Sequence, residues 1–348
     1  MPTLNSSSST TEPVNAPQPK ATSKRMWNWH PAIPMTNSPI ATWPIKPFAM
    51  MWLIVRGWLP VSDKLLIAGI SILTWFYLSP ALERCREFEI DWIAQIYFRN
   101  LVILTIVAGG LHLYLYTFRR QDDNYRYDSR EFQKNRKRYT LNNQVYENIF
   151  WSLGSGVTWW TAYEVVAMWA YANGLMPHLA WGDNPVWFVL MFVFISLFGN
   201  FHFYWIHRLI HWQPLFNAFH YLHHRNINVG PWSGMSMHPV EHALYLSSAL
   251  IHIVMASHPI HIIFHLQMKI LQGPTSHSGF EKLTTGPQSI PGFKMGDFFH
   301  QLHHRYFECN YGETTVPLDH WFGSYHDGTP EARERIRERM QRAGVSRS

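Results

Sequence analysis

The amino-acid sequence predicts an all-α protein, a polytopic bundle of membrane helices that carries a histidine-rich cap. Hydrophobic residues make up 47% of the 348 residues and charged residues only 15%, whereas an average soluble domain has about 25% charged residues. Apolar runs recur along the chain, and 18 of the 21 histidines lie between His202 and His326. The mean hydropathy of −0.16 shows that a substantial part of the chain is nevertheless polar.

The composition also argues against a disulfide-rich protein and against a nucleic-acid-binding protein. The two cysteines, Cys85 and Cys309, are too few for a disulfide framework. The formal net charge is +6, but the basic residues flank apolar runs, as expected of a membrane protein. We therefore expect a bilayer around this chain and no nucleic-acid partner.

Four regions follow from the changes in composition along the chain. Residues 1–25 are rich in Ser, Thr and Pro and lack the apolar block of a signal peptide, so they predict a disordered tail. Residues 26–200 predict membrane-anchoring helices with a basic cytosolic loop. Residues 201–328 form a histidine-rich catalytic region. Residues 329–348 predict a charged helix that starts at Pro330 and stops at Gly344.

The membrane-embedded segments are predicted from apolar runs, because about 20 such residues cross a bilayer. The longer runs are Leu65–Pro80, Leu101–Phe118, 150–176 and Trp187–Ile206. A further pair, within residues 243–271, is short for full crossings and predicts a spanning or re-entrant hairpin that turns at Ser257–His258–Pro259. We expect four to six embedded segments in total.

Basic residues predict the orientation of these segments. Eight lysines and arginines lie between Arg119 and Arg138, and Arg84, Arg86 and Arg99 lie between the first two predicted spans. Basic loops face the cytosol, and counting spans from this loop brings every histidine cluster to the same side. The predicted location is thus a multi-pass protein of the endoplasmic reticulum, if eukaryotic, or of the bacterial inner membrane, with a cytosolic cap.

The histidines form two HxxxH pairs and two HxxHH triplets, with one single histidine between them. Residues three or four apart share a helix face, so their imidazoles can converge on one cation. The candidate metal ligands are His207, His211, His220, His223, His224, His238, His242, His277, His300, His303 and His304.

The number of these histidines indicates two metal ions. Zinc, for example, takes about four ligands, and the adjacent histidines of HxxHH diverge by about 100° around the helix axis. Histidines 252, 258, 261 and 265 lie in the apolar hairpin and predict packing or interfacial groups. Glu164, an acid within an apolar run, is either functional or paired with a tryptophan or backbone donor.

In this order, the motifs resemble those of the fatty acid hydroxylase/sterol desaturase superfamily of integral-membrane di-iron enzymes. The likeness spans residues 200–325 and includes Met237-His-Pro-Val-Glu241, His277-Ser-Gly and the closing Asn310-Tyr-Gly. The His-Pro-x-Glu and His-Ser-Gly elements are most similar to the sterol C5-desaturase and C4-methyl oxidase branches. Asn200, where family members commonly carry Asp, His320, where Arg is usual, and the additional His242 depart from the pattern.

The resemblance implies a lipid hydroxylase or desaturase with two non-haem iron ions and O2 as co-substrate. The substrate would be sterol-like or fatty-acyl. The chain contains no His-Pro-Gly-Gly haem motif, so the resemblance implies a separate electron donor, cytochrome b5-like or ferredoxin-like.

Two other functions remain open at this level. A membrane metal transporter or metal-binding protein would place its ligands near the bilayer midplane, whereas these clusters lie at the ends of spans. A zinc-dependent membrane hydrolase would carry His-Glu-x-x-His, whereas His238-Pro-Val-Glu-His242 places the glutamate differently.

Overall fold

The structure, a computed structural model, describes residues 27–36, 38–41, 44, 46–58, 62–284 and 293–342. The predicted disordered tail 1–25 and the helix stop at Gly344 lie outside the described residues. Within them, the regular elements are helices and one short antiparallel sheet, β1 (Lys282–Leu283) and β2 (Phe293–Lys294). The predominantly helical class is therefore confirmed.

The helices follow the apolar runs and begin at residues suited to cap them. Ser62, Asn143, Asn184 and Asp297 each accept a backbone N–H of the first turn that follows. The last helix begins at Pro330, as predicted. In chain order the helices are α1 (Pro47–Trp58), α2 (Asp63–Leu73), α3 (Ile90–Thr117), α4 (Gln144–Trp151), α5 (Val157–Ala172), α6 (Pro185–Ile210), α7 (Tyr221–His224), α8 (Pro239–Leu246), α9 (Pro259–Ser276), α10 (Phe298–Tyr306), α11 (Leu318–Trp321) and α12 (Pro330–Arg342).

Helix α9, the second half of the predicted hairpin, is the central helix of the bundle. It packs against α2, α5, α6 and the 3-10 helix Pro231–Met235, and nearly all of its residues are buried. Its polar groups have protein partners: His261 Nε2 donates to the carbonyl of Phe188 (2.8 Å), and Gln267 Nε2 donates to Thr74 (2.9 Å). The run of apolar residues thus reflects contact with other helices, which sequence periodicity does not distinguish from contact with lipid.

Two helices of the described residues, α3 and α6, are long and apolar enough to cross a bilayer. Their outer faces expose large apolar side chains, which a soluble surface rarely groups together. Those side chains include Phe98, Val102 and Ile106 on α3, and Val189, Phe201 and Leu209 on α6. Of the four to six predicted membrane-embedded segments, the described residues thus contain two helices that are long and apolar enough to cross a bilayer.

A buried ion pair joins α3 to α5 and corrects one sequence-based interpretation. Arg99, expected in the loop between the first two predicted spans, lies within α3, because this helix begins at Ile90 rather than Leu101. Its guanidinium donates to Glu164 on α5 (Nη2 to Oε2, 2.5 Å), and both side chains are buried. The partner of Glu164 is therefore an arginine, and not the tryptophan or backbone donor that the sequence suggested.

The basic loop 119–138 packs against the histidine-rich region. Tyr127 Oη donates to Glu281 Oε2 (2.6 Å), and the hydroxyl of Tyr139 donates to the carbonyl of Arg225 (3.0 Å), the residue after His224. The basic loop and the histidine motifs therefore lie at the same end of the molecule.

Candidate metal centre

Five buried histidines converge to form what we name the first imidazole group. One ring nitrogen from each lies within 4.8 Å of the others. The end of α6, the helical turns at 216–224 and α10 supply these side chains. The group consists of His207, His211, His220, His224 and His303.

Four further buried histidines form the second imidazole group, beside the first. They come from α7, from the residue that follows α9 and from α10, and their ligand atoms also lie within 4.8 Å of one another. The group consists of His223, His277, His300 and His304. The two groups are in contact, because the ring centroids of His224 and His304 are only 4.8 Å apart.

Helix geometry divides each HxxHH triplet between the two groups. In α7, the adjacent rings of His223 and His224 are 5.7 Å apart with an interplanar angle of 85°. In α10, the rings of His303 and His304 are 5.8 Å apart at 87°. In each triplet the first and last histidines, four residues apart, belong to the same imidazole group. The histidine between them belongs to the other group. This distribution matches the divergence of about 100° between helical neighbours.

Backbone carbonyls and one carboxylate fix the orientation of five of these rings through Nδ1. In the first group, His207 donates to the carbonyl of Tyr311 (2.6 Å), His303 donates to the carbonyl of Cys309 (2.6 Å), and His220 donates to Glu241 Oε1 (2.7 Å). In the second group, His223 donates to the carbonyl of Ser236 (3.3 Å), and His277 donates to that of Gly273 (3.0 Å). Because these acceptors hold the Nδ1 proton, each neutral ring presents an unprotonated Nε2.

These unprotonated nitrogens point at one another, which is the observation that fits a metal pair. The Nε2 atoms of His207 and His220 are 3.1 Å apart, and those of His223 and His277 are 3.3 Å apart. Two such nitrogens have no proton to share and repel each other. A cation about 2.0–2.1 Å from each would hold neighbouring nitrogens at about this separation and satisfy both.

Burial keeps these imidazoles in the neutral form that binds metals. It lowers the pKa of His223 to about 4. Burial also lowers the pKa of five other candidate ligands well below the ordinary value, and the neighbouring histidines add to this effect. The five candidates are His224, His277, His300, His303 and His304.

Two of the eleven histidines selected from the sequence do not join either group. His238 caps α8, where its Nδ1 accepts the N–H of Val240 (3.2 Å). His242 is buried and its Nδ1 contacts the hydroxyl of Ser155 (3.0 Å). Since α8 turns both rings away from the converging nitrogens, the candidate ligand set narrows to nine histidines.

The histidines of the apolar hairpin form a separate hydrogen-bonded chain. His252 Nδ1 bonds to the hydroxyl of Ser257 (2.7 Å), and its Nε2 lies 3.2 Å from His265 Nδ1. His265 Nε2 bonds to Ser248 (3.0 Å). These rings have partners of their own, and they lie outside both imidazole groups, as the sequence interpretation proposed.

Three acidic and amide side chains support the site without being predicted as functional. Glu241 holds His220, and Asp319 accepts the backbone N–H groups of Tyr311 (2.8 Å) and Gly312 (2.7 Å). Asn310 Nδ2 donates to the carbonyl of Phe299, beside His300 (3.1 Å). Of these three residues, Glu241 could have been found from the sequence, because the His-Pro-Val-Glu motif places it three residues after His238 at the start of a helix.

A cavity of about 720 Å³ opens onto both imidazole groups, a volume within the range of small-molecule sites. Its wall includes His207 and His220 from the first group and His223, His277 and His300 from the second. Beyond the histidines, the wall is largely apolar where α6 lines it. The apolar residues there include Val193, Leu197, Phe203, Ile206 and Ile210.

The fold and the site thus define a helical protein with two adjacent groups of buried histidines, which could hold metal ions, beside a cavity. Residues 188–324 match the model of the Fatty acid hydroxylase family. The match contains all nine histidines of the two groups.

Comparison with curated proteins identifies relatives in two branches of sterol oxidation. The Delta(7)-sterol 5(6)-desaturase of Gibberella zeae is 30% identical over 148 residues, 42% of this chain and 44% of the relative. The lathosterol oxidase of Mus musculus is 30% identical over 147 residues, 41% and 48% respectively. The methylsterol monooxygenase of Aspergillus fumigatus is 28% identical over 162 residues, 43% and 50%. The resemblance to both branches is therefore confirmed.

The chain spans about half the length of these relatives. No solved structure matches the chain significantly.

Proposed function

We propose that the protein is an O2-dependent, non-haem di-iron lipid oxidoreductase that hydroxylates or desaturates a sterol-like or fatty-acyl substrate. The observation that carries the proposal is that both imidazole groups open into one cavity, whose wall along α6 is largely apolar. Paired metal sites next to such a cavity suit oxidation of an unactivated lipid C–H bond better than hydrolysis, because an apolar wall excludes water. The family match and the oxidoreductases among the relatives support the same reaction class.

The two imidazole groups would hold one iron ion each. When bound, the irons would activate O2 and abstract hydrogen from the substrate, chemistry that belongs to the metals. The carbonyls of Tyr311, Cys309 and Gly273, together with Glu241, hold the rings so that each Nε2 points inward. Such outer partners fix the tautomer and increase the basicity of the ligands.

The cavity wall would position the substrate. Phe203 stacks on His207, with ring centroids 4.8 Å apart and an interplanar angle of 24°. Phe203 lines the cavity together with the other apolar residues of α6, so a hydrocarbon chain or ring system could lie against this helix. The names of the relatives, a sterol desaturase, lathosterol oxidase and methylsterol monooxygenase, favour a sterol-like substrate. Cavity shape would decide between hydroxylation and desaturation.

The protein would be embedded in a membrane as a multi-pass bundle, with the histidine-rich cap on the cytosolic side. The exposed apolar faces of α3 and α6 support membrane contact, and the packing of the basic loop against the cap supports a cytosolic cap. The region boundaries at residues 25, 200 and 328 are part of this proposal.

Electrons would come from a separate protein, cytochrome b5-like or ferredoxin-like. Support comes from the exposed basic residues Arg136, Lys137 and Arg138 close to the centre. Arg138 Nη2 donates to the carbonyl of Arg225 (2.8 Å), which follows His224 in the chain. A basic surface here could attract an acidic donor by electrostatic steering.

Comparative lipid profiling tests the proposed function. Untargeted mass spectrometry of cells with the gene, without it, and with His303→Ala should reveal one lipid that accumulates when activity is lost. The product formed from this lipid in the native strain should carry one additional oxygen or lack two hydrogens. That product should be absent under strict anaerobiosis. Identical profiles in all strains, or product formation without O2, would contradict the proposal.

A further inference from the structure

A buried lysine faces the cavity wall close to the metal centre. Lys269, on α9, is 4% exposed and lines the cavity. Its Nζ lies 3.9 Å from the ring centroid of Tyr245 and 5.0 Å from that of Phe203. Because Phe203 stacks on His207, a single aromatic ring separates this ammonium group from the first imidazole group.

The charge of Lys269 has no contacting counter-ion. Within the described part of the chain, its Nζ forms neither a hydrogen bond nor an ion pair, and its near neighbours are the two aromatic rings. Cation–π contacts stabilise an ammonium group only partly. A buried charge without a hydrogen-bonded partner is costly, so this arrangement suits an acidic ligand that completes the site.

One acid of the same cavity wall, Glu313, influences Lys269 without contacting it. Burial raises the pKa of Glu313, and the charges of Lys64 and Lys269 both oppose this rise. Within the described residues no ion pair joins Glu313 to either lysine, and the carboxylate closest to Lys64 Nζ is that of Asp63 (3.9 Å). The Lys269 ammonium group therefore has no acid within contact distance.

An amide of the same cavity wall is also without a hydrogen-bond partner. Asn200, on α6, lines the cavity, is 6% exposed, and its Nδ2 has no hydrogen-bond partner among the described residues. The residue before it, Gly199, lies close to the Lys269 side chain: a Cβ at Gly199 would lie 4.0 Å from Lys269 Cδ. Asn200 adds no negative charge to this wall, whereas an aspartate at the same position would.

We propose that Lys269, assisted by Asn200, binds the carboxylate of an acidic lipid and so determines substrate specificity. The inference rests on the proposed function of the site and adds the chemical class of the substrate. The ammonium and the amide would donate to the two carboxylate oxygens, while the hydrocarbon part would lie along Phe203 and the apolar face of α6 towards the metals.

Equilibrium binding to the metal-loaded protein in detergent tests this specificity. Radiolabelled palmitate is the probe, and the competitors are two acids, unlabelled palmitate and the steroid acid lithocholate, and two alcohols, hexadecanol and cholesterol. We expect the acids to displace the probe better than the alcohols, and the stronger of the two acids identifies a straight-chain or a steroid substrate. Lys269→Met should weaken palmitate binding about ten-fold or more, since a hydrogen bond to a charged group contributes roughly 1.5–3 kcal/mol. Lys269→Arg should retain most of it.

Matched variants separate this effect from loss of folding. Asn200→Asp is nearly isosteric and should weaken palmitate binding while leaving hexadecanol binding within about two-fold, because only the acid meets a repelling carboxylate. Lys46→Met, at an exposed lysine, should change neither. Equal binding of palmitate by the native protein and both cavity variants, or equal affinity for palmitate and hexadecanol, would overturn the inference. Metal content and lipid turnover of the same samples test the proposed function separately.

Discussion

His223 and His224 are consecutive in the chain, yet they belong to different imidazole groups. The rings stand at 85° to each other, and His223 lies with His277 whereas His224 lies with His211. The same division recurs at His303 and His304. Two short helices, each carrying HxxHH, are thus sufficient to contribute to two adjacent metal sites.

Removal of His303 should abolish metal binding at the first group. In His303→Ala, one of five converging nitrogens and its bond to the Cys309 carbonyl are lost. We expect at least one iron per chain to be lost and lipid turnover to fall below detection. His261→Ala is the control, because the hydrogen bonds of His261, to the Phe188 carbonyl and from the His258 N–H, lie outside both groups. Equal losses of metal in the two variants would show that the ligand set is wrong.

Glu241 should influence metal affinity through the orientation of His220. Glu241→Leu removes the acceptor of the His220 Nδ1 proton, and loss of such outer partners typically reduces metal affinity about 10–100-fold. Glu241→Gln retains an acceptor oxygen and should lose much less. Competition with a chelator measures both affinities. Similar chelator resistance in the leucine variant and the native protein would contradict a positioning role.

The Arg99–Glu164 pair should behave as a buried ion pair. Glu164→Leu leaves the Arg99 guanidinium buried without its carboxylate, which typically costs about 3–5 kcal/mol. Arg99→Met together with Glu164→Leu should recover much of that loss, because both buried charges are then absent. Unfolding in mixed micelles measures the free energies of unfolding of Glu164→Leu, of Arg99→Met alone and of the double variant. A double variant as unstable as the summed single variants would indicate that the two groups do not interact.

Acidification should destabilise the cap through His326. Burial lowers the pKa of His326 to about 4, and its Nδ1 accepts the N–H of Gly328 (3.0 Å). Between the ordinary pKa of about 6.5 and about 4, the unfolded chain binds a proton that the folded chain excludes. Stability contributed by the neutral ring is therefore complete above about pH 6.5 and decreases by up to about 1.4 kcal/mol per pH unit below it.

The variant His326→Asn keeps an acceptor but does not titrate, so it isolates this contribution. Thermal unfolding between pH 7 and pH 5 should show a smaller loss of stability in the variant than in the native protein. His30→Asn, at an exposed position, should show the native pH dependence. An unchanged pH dependence in His326→Asn would exclude a contribution from this ring.

Sequence reasoning predicted those features that depend on local spacing. The apolar runs became helices, Pro330 begins the last helix, and the divergence of helical neighbours agrees with the division of each HxxHH triplet between the two imidazole groups. His277 was recognised although it lies alone, because the His-Ser-Gly element resembles the family motif. It joins the second group from the end of α9.

The remaining features depend on tertiary packing, which spacing does not encode. Helix α9 is apolar because protein surrounds it, and Arg99 is buried because Glu164 lies opposite. His238 has the same sequence signature as the ligands, yet the start of α8 makes it a helix cap. The carbonyls that orient the rings belong to residues such as Tyr311 and Cys309, whose side chains do not reveal this role.

The metal content of the purified protein tests the central claim most directly. Inductively coupled plasma mass spectrometry of protein from iron-replete cells should find two iron ions per chain, one for each imidazole group. A stoichiometry below two metals per chain under those conditions would contradict the paired centre and the oxidation chemistry proposed for it.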